Sequence, residues 1–197
     1  MRRSTYRSLA SLQRDLAGCC ACPAVESRPV VEGRAGQRAY LFGQAPGVVE
    51  GAEGRPWRGR AGQTLRRWLE LDEDAFYDTF HCASVTRCYP GRAASGRGDR
   101  TPSQHEQELC GFWQQWELRL LEPELIVTVG GLALRRLLGR PNLTECIGAR
   151  FQLDGATVVP LPHPSGASGW LNRPANRERL AAALEILAAE LDALRSR

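Results

Sequence analysis

The sequence predicts a three-layer α/β/α sandwich with a central, mostly parallel four-stranded sheet. Three observations lead there. Short apolar runs of strand length, RAYLFG, LIVTVGG and TVVPLP, each end in a loop rich in Gly or Pro. Segments with helical spacing of Leu, Trp and Ile lie between them. Strands that alternate with helices imply parallel pairing through crossovers, with helices covering both faces of the sheet. At 197 residues the chain is long enough to bury a real core, and no repeat or linker divides it, so one domain over residues 1–197 is expected.

Taken in order, Thr5 to Ala17 places Tyr6, Leu9, Leu12 and Leu16 on one helical face, and Gly18 ends that helix. RAYLFG is the first strand, and a Gly/Pro loop follows it. A helix is expected from Gly62 to Leu71, with Leu65, Trp68 and Leu69 turned inward. The β-rich run Phe76 to Thr86 is expected to be the second strand. The segment PGRAASGRGDRT reads as a polar loop, and its Arg92, Arg97 and Arg100, with Arg87 before it, are candidates for phosphate contact. Thr101 to Leu121 reads as a helix, with Pro102 in the first turn and Glu106 three residues beyond Ser103 as in a capping box. LIVTVGG leads into the helix LALRRLL. FQLDGATVVPLP makes a hairpin-like step into the last core strand, and the run from Pro174 is a long amphipathic helix that covers the sheet.

Composition narrows the function classes. The formal net charge is +4, and all 26 basic residues are Arg, because the sequence contains no Lys. Arg pairs bidentately with phosphate oxygens and stacks on bases, which suits a DNA partner better than a membrane surface, although a GC-rich genome would also favour Arg. No apolar run reaches the length needed to span a bilayer, and the first residues lack the apolar region of a signal peptide. A cytoplasmic protein with no membrane partner, acting as a monomer, is therefore expected. Seven Cys in a reducing compartment argue against a disulfide framework and for metal binding or catalysis by some of them. Cys19 and Cys22 have a spacing that lets two thiolates chelate one centre, and Cys82 and Cys146 read as small buried apolar residues.

The stretch with the most chemistry runs from Leu41 to Leu65, LFGQAPGVVEGAEGRPWRGRAGQTL. Gly43, Pro46 and Gly47 let a backbone come close to a ligand at the carboxyl end of a strand, and Trp57 follows between Arg55, Arg58 and Arg60. A second loop, PLPHPSGAS, puts His163 at the mouth of another strand. Two loops at the ends of parallel strands can share one pocket.

These residues carry a resemblance. GQAPG, then Glu50, then GRPWRGRAG resembles the first motif of the iron–sulfur (family 4 type) uracil-DNA glycosylases, and HPS resembles the second motif of the wider superfamily. The resemblance runs from about Cys19 to the final helix with its motifs in the family's order. It implies that Cys19, Cys22, Cys88 and Cys110 hold a [4Fe–4S] cluster, with zinc on the same ligands as the alternative and Cys20 as a substitute for Cys19. It implies a glycosylase that flips uracil, and possible other deaminated bases, out of DNA and leaves an abasic site. Main-chain groups of Gly43, Gln44, Ala45, Pro46 and Gly47 would then meet the uracil edge, Trp57 would stack on the base, and Ser84 would stand where the family reads that edge with Asn. His163 would stabilise the departing base, while Pro164, Ser165, Gly166, Arg58 and Arg60 would contact DNA.

HPSGAS is closer to other superfamily branches than the more common family 4 HPA, and two single positions also depart from the family pattern. Gln44 stands where the family carries Glu and cannot act as a base, so water activation by a side chain would fall to Glu50 or Glu53. Ser84 has one hydroxyl in place of an amide's donor and acceptor pair. They keep open a second reading, a weakly active or inactive protein that binds DNA damage through the same pocket. A phosphate-loop nucleotide binder is disfavoured, because neither GxxxxGK[ST] nor GxGxxG follows the first strand.

Overall fold

The computed structural model describes residues 5–140, 142–165 and 169–196. The elements are α1 (Leu9–Ala17), β1 (Ala39–Gly43), α2 (Val48–Glu53), α3 (Arg60–Trp68), α4 (Glu73–Thr79), β2 (Phe80–Ser84), α5 (Gln104–Leu121), β3 (Leu125–Val129), α6 (Gly131–Leu138), α7 (Leu143–Cys146), β4 (Phe151–Leu153), β5 (Ala156–Leu161) and α8 (Pro174–Arg195). The sheet order is β2-β1-β3-β5-β4, with only β4 antiparallel to its neighbour among the described strands. The expected four parallel strands are present. The hairpin step before the last of them adds β4 as a fifth, edge strand.

Alternation along β1 separates the two faces. Ala39 and Leu41 face a core built with Leu65 of α3, Phe76 of α4 and Leu180, Ala183, Leu187 and Leu191 of α8. Tyr40 and Phe42 face Leu132 and Ala133 of α6, with Leu118 and Leu121 of α5 packed behind. α1 lies outside α5 and places Leu9, Leu12 and Leu16 against Cys110 and Trp113. Each central strand is therefore covered on both sides, which is why its residues are apolar without a polar alternation.

Cap chemistry sets several boundaries. The Ser103 hydroxyl accepts from Glu106 N, and the Glu106 carboxylate accepts from Ser103 N, so the capping box read from the sequence starts α5. The strand expected from Phe76 to Thr86 begins only at Phe80. Asp72 accepts from Ala75 N at 2.8 Å, and Glu73 and Asp74 fill the first turn, so the run before Phe80 is helical despite its aromatic content. α1 starts at Leu9 on a Ser8 cap, four residues later than the sequence suggested. α3 runs from Arg60 to Trp68, two residues earlier than expected at its start and three earlier at its end. The Arg-rich loop is ordered as a small hairpin, with Arg92 bridged to Asp99 and Arg100 N donating to Gly91 O at 2.9 Å. Cys82 and Cys146 are buried. Among the described residues no helix is long and apolar enough to cross a membrane.

Candidate active site

The parallel register brings the carboxyl ends of four strands to one rim. Gly43 pairs with Ser84, and Thr128 lies between Phe42 and Pro160, so the loops after β1, β2, β3 and β5 open on the same side. The sequence-derived candidates fall on these loops: Gln44, Ala45, Pro46 and Gly47 after β1, Ser84 at the end of β2, and His163, Pro164 and Ser165 after β5. Gly166 lies outside the described residues. A cleft of about 570 Å³ lined by Leu118, Glu122, Ile126 and Asp154 opens at the opposite ends of the strands, remote from these groups.

Trp57 is held by its backbone as much as by its ring. Its φ of 60° is left-handed, an arrangement that surrounding structure must enforce for an aromatic residue. Arg66 donates to Trp57 O at 2.9 Å, and Tyr77 OH donates to Pro56 O at 2.5 Å. Gly62 lies so close that a Cβ there would be 1.7 Å from Trp57 O, so a side chain at that helical position would drive into the Trp57 backbone. At the ring, a Cβ on Gly43 would be 2.9 Å from Trp57 Cζ2. The indole therefore rests on the bare Cα of the pocket loop, and it is half-buried.

Arg58 is engaged with acidic partners: Nε donates to Glu53 at 2.7 Å, and Nη1 bonds Glu73. Glu73 also receives Arg55 and Arg66 at 3.6 and 3.4 Å, so this α4 residue fastens the whole segment around Trp57. Sequence reasoning missed Glu73, because it belongs to a helix the strand assignment had hidden. Arg60, in contrast, is exposed at the start of α3.

Glu50 ties the two halves of the first motif together. Its Oε2 accepts from Gly47 N at 3.1 Å and its Oε1 from Gly59 N at 2.8 Å. Both oxygens thus hold backbone, one at the start of α2 and one at the start of α3. The Glu50 charge also acts on His163 and favours its protonated form, but desolvation by the surrounding protein is the larger influence and lowers the imidazole pKa below its usual value.

The His163 ring has a defined tautomer. Ser165 N, which can only donate, points to Nδ1 at 3.2 Å, and Ser165 Oγ lies 2.8 Å from the same atom. Nδ1 is therefore the acceptor, and in the neutral ring the proton sits on Nε2. A Cβ on Gly130 would be 3.6 Å from His163 Cβ, so the end of β3 supports the stem of this side chain. Ser84 Oγ donates to Thr86 O at 2.7 Å, which leaves its lone pairs as the available polar function.

Cys19, Cys22, Cys88 and Cys110 come from α1's end, the segment after β2, and α5. Burial pushes the Cys88 thiol up to about 12 and the Cys110 thiol to about 11, and in both cases Cys19 and Cys22 add to the rise. Cys19 and Cys22 thus act on both Cys88 and Cys110. Arg87 N donates to Cys110 Sγ at 3.4 Å, the kind of contact a thiolate ligand accepts. Among the described residues no group of three or more His, Cys, Asp or Glu side chains stands where it could hold a metal ion. The donor types, thiols with a backbone N–H on one of them, are those that a metal centre uses.

Behind the rim lies a buried network, and it takes in Arg87, expected from the sequence to contact phosphate but withdrawn from solvent and paired with Glu117. Arg87, Glu117, Tyr40 and His81 are each 2% exposed or less. Arg87 Nη2 bonds Glu117 Oε2, Tyr40 OH donates to the same oxygen at 2.7 Å, and His81 Nε2 lies 3.6 Å from Oε1. The network pins the segment carrying Ser84 and Cys88 to α5. Charge pairing within a fully buried cluster depends on tertiary position, so sequence spacing could not reveal it.

The model of the uracil DNA glycosylase superfamily matches residues 30–195. The chain is 32% identical over 153 residues to the type-4 uracil-DNA glycosylase of Thermotoga maritima, covering 75% of this chain and 76% of that protein. It is 29% identical over 186 residues to the type-4 uracil-DNA glycosylase of Archaeoglobus fulgidus, covering 87% of each. It is 25% identical over 176 residues to the one from Sulfurisphaera tokodaii, covering 81% of this chain and 76% of that protein. The match spans the first-motif loop, the Trp57 clamp and the His163 loop, and the chain belongs to the uracil-DNA glycosylase superfamily.

Proposed function

We propose that this protein is a monofunctional DNA glycosylase that removes uracil from DNA and leaves an abasic site. The observation that carries this reading is the fixed tautomer of His163, with Ser165 N donating to Nδ1 so that Nε2–H remains as donor. In the reaction the C1′–N1 bond breaks, its electron pair stays on the base, and a water oxygen bonds C1′ while that water loses a proton. The base leaves as an anion and takes up a proton on release. His163 Nε2–H would donate to the uracil oxygen where that negative charge develops, a stabilisation worth about 3–4 kcal/mol when one such donor is removed from comparable sites.

The other groups have compatible roles. Trp57, braced on Gly43, would stack on the flipped base. Ser84 can accept from the uracil N3–H but lacks a donor for the neighbouring oxygen, because its proton goes to Thr86 O. Glu50 holds two backbone donors, so its contribution would be to fix the loop and to favour the positive charge that develops on the sugar as the C1′–N1 bond breaks, and Gln44 would bind instead of acting as a base. The enzyme would act as a monomer, with Arg60, Pro164 and Ser165 near the DNA backbone. Cys19, Cys22, Cys88 and Cys110 would hold a [4Fe–4S] cluster that ties the N-terminal segment to α5. When bound, that cluster supplies structural cross-linking, and no step of the hydrolysis needs it. The lack of any Lys removes the usual amine for lyase chemistry.

The test is incubation of the purified protein with labelled oligonucleotides containing one uracil, followed by cleavage at abasic sites, beside His163→Ala. Excision by the parent and a loss of about 100-fold or more in the variant, with DNA affinity retained, is expected. Tight binding to uracil-containing DNA without excision would overturn the enzymatic reading in favour of damage binding. Absorption of the purified protein near about 400 nm, lost in Cys88→Ser, is expected for the cluster, and a colourless zinc protein would overturn that assignment.

A further inference from the structure

We infer that Asp99 is a further catalytic residue, the carboxylate that takes the proton of the attacking water, a role that rests on the glycosylase reading above. Hydrolysis leaves that proton to be placed, and the acids of the first motif are already engaged. Glu50 holds Gly47 N and Gly59 N with its two oxygens, and Glu53 is paired with Arg58 at 2.7 Å. Gln44 is a neutral amide. Asp99 comes from elsewhere in the chain, the small hairpin after β2, yet it reaches the pocket loop. A Cβ on Gly47 would be 3.4 Å from Asp99 Oδ2 and 2.8 Å from Glu50 Oε2, so the bare Cα of Gly47 leaves room for both carboxylates.

The Asp99 carboxylate is held at one oxygen and open at the other. Oδ1 accepts from Tyr89 OH at 3.1 Å, and among the described residues no cation pairs with Oδ2. Tyr89 is buried and its N donates to Ser27 Oγ at 2.8 Å, so the ring that aims Asp99 is itself fixed. The hairpin is closed by the pairing of Arg92 with Asp99 and by Ala93 N donating to Gly98 O at 3.1 Å. Arg100 anchors its end, with both Nη atoms on the Glu106 carboxylate at 2.7 Å and Nη2 also on Ala24 O at 3.0 Å. Asp99 remains exposed, so water reaches Oδ2.

An acid in this place works against DNA binding. The other charges of its loop are Arg92, Arg97 and Arg100, and a carboxylate among them repels phosphate. The same charge helps in the transition state, because the sugar becomes positive as the C1′–N1 bond breaks and a fixed anion beside it is stabilising. The water oxygen bonds C1′ while the C1′–N1 electron pair leaves with the base. The proton of that water passes to Asp99 Oδ2, from which solvent removes it. His163 thus serves the departing base and Asp99 the incoming water.

The experiment compares the full-length protein with Asp99→Asn and Asp99→Ala. Asn keeps an oxygen for Tyr89 OH and the backbone pairing of the hairpin, and removes only the charge. Single-turnover excision of uracil from duplex DNA is expected to fall about 100-fold or more in Asp99→Asn, with the melting temperature unchanged and DNA affinity equal or higher. Sodium formate should restore part of the rate to Asp99→Ala and leave the parent unaffected, which a structural role would not allow. Binding is also measured to duplexes that carry either a tetrahydrofuran abasic analogue or a pyrrolidine analogue with a cationic nitrogen in place of C1′. The parent should prefer the cationic analogue about tenfold, and Asp99→Asn should lose that preference. Excision by Asp99→Asn within about threefold of the parent would overturn the role and leave the glycosylase reading standing. So would a loss matched by an equal loss of DNA affinity, no recovery with formate, or a cationic preference that the variant retains. A parent that excises nothing overturns both.

Discussion

Replacing Glu117 by Gln should destabilise the protein far more than any surface charge change. Glu117 and Arg87 are 1% and 2% exposed, and the Glu117 carboxylate also accepts from Tyr40 OH. Removal of its charge leaves the Arg87 guanidinium buried without a counter-ion, and breaking one partner of such a pair costs about 3–5 kcal/mol. For a chain of this size each kcal/mol moves the melting point by about 2–4 °C, so a drop of about 6–20 °C is expected in thermal unfolding at pH 7. The double variant Glu117→Leu/Arg87→Met, which removes both charges, should recover much of the loss. Excision should fall with stability, because Arg87 sits between Thr86, next to the Ser84 hydrogen bond, and Cys88. A single variant that melts within about 2 °C of the parent would refute the reasoning, since a charge that costs so little to orphan is not desolvated.

Acid should weaken the protein through Glu106 in a defined window. Arg100, by hydrogen bond, holds that carboxyl at about 2, below the ordinary carboxylate value. Its contribution is full above about pH 4.3 and is lost as pH falls toward 2, so Glu106→Gln should lower the melting point at pH 7 and converge with the parent near pH 2. The His163 imidazole, desolvated by the protein around it, should titrate by NMR below its usual value of about 6.5. Because the folded form resists the proton, this group favours folding above about pH 6.5 and opposes it below, and a midpoint above 7 would contradict the site as described. Gly43→Ala places a Cβ 2.9 Å from Trp57 Cζ2, and displacement of the indole should reduce excision about tenfold or more, with a shift in Trp emission and a retained fold. Ser84→Asn restores a donor and an acceptor at the rim, and the ratio of uracil to hypoxanthine excision should rise about tenfold. Equal rates in parent and variant would show that Ser84 does not read the base.

The sequence by itself determined the parallel sheet, its long covering helices and the two loops that carry Gly43 to Gly47 and His163. Those features are local: apolar runs of strand length, a Ser103–Glu106 capping box, and Gly and Pro at strand ends act over a few residues. It also singled out Cys19, Cys22, Cys88 and Cys110 by their spacing and by the family resemblance. The helical stretch before Phe80 was obscured because aromatic β-propensity there is overridden by the Asp72 cap. Only the tertiary structure decided that Glu50 spends both oxygens on backbone, that Arg58 is neutralised by Glu53 and Glu73, and that Ser84 gives its proton to Thr86. It alone exposed the Arg87–Glu117 pair. A residue's type states which bonds it can make, but its partners are set by chain segments brought together across the fold, and at these positions the partner fixes the role.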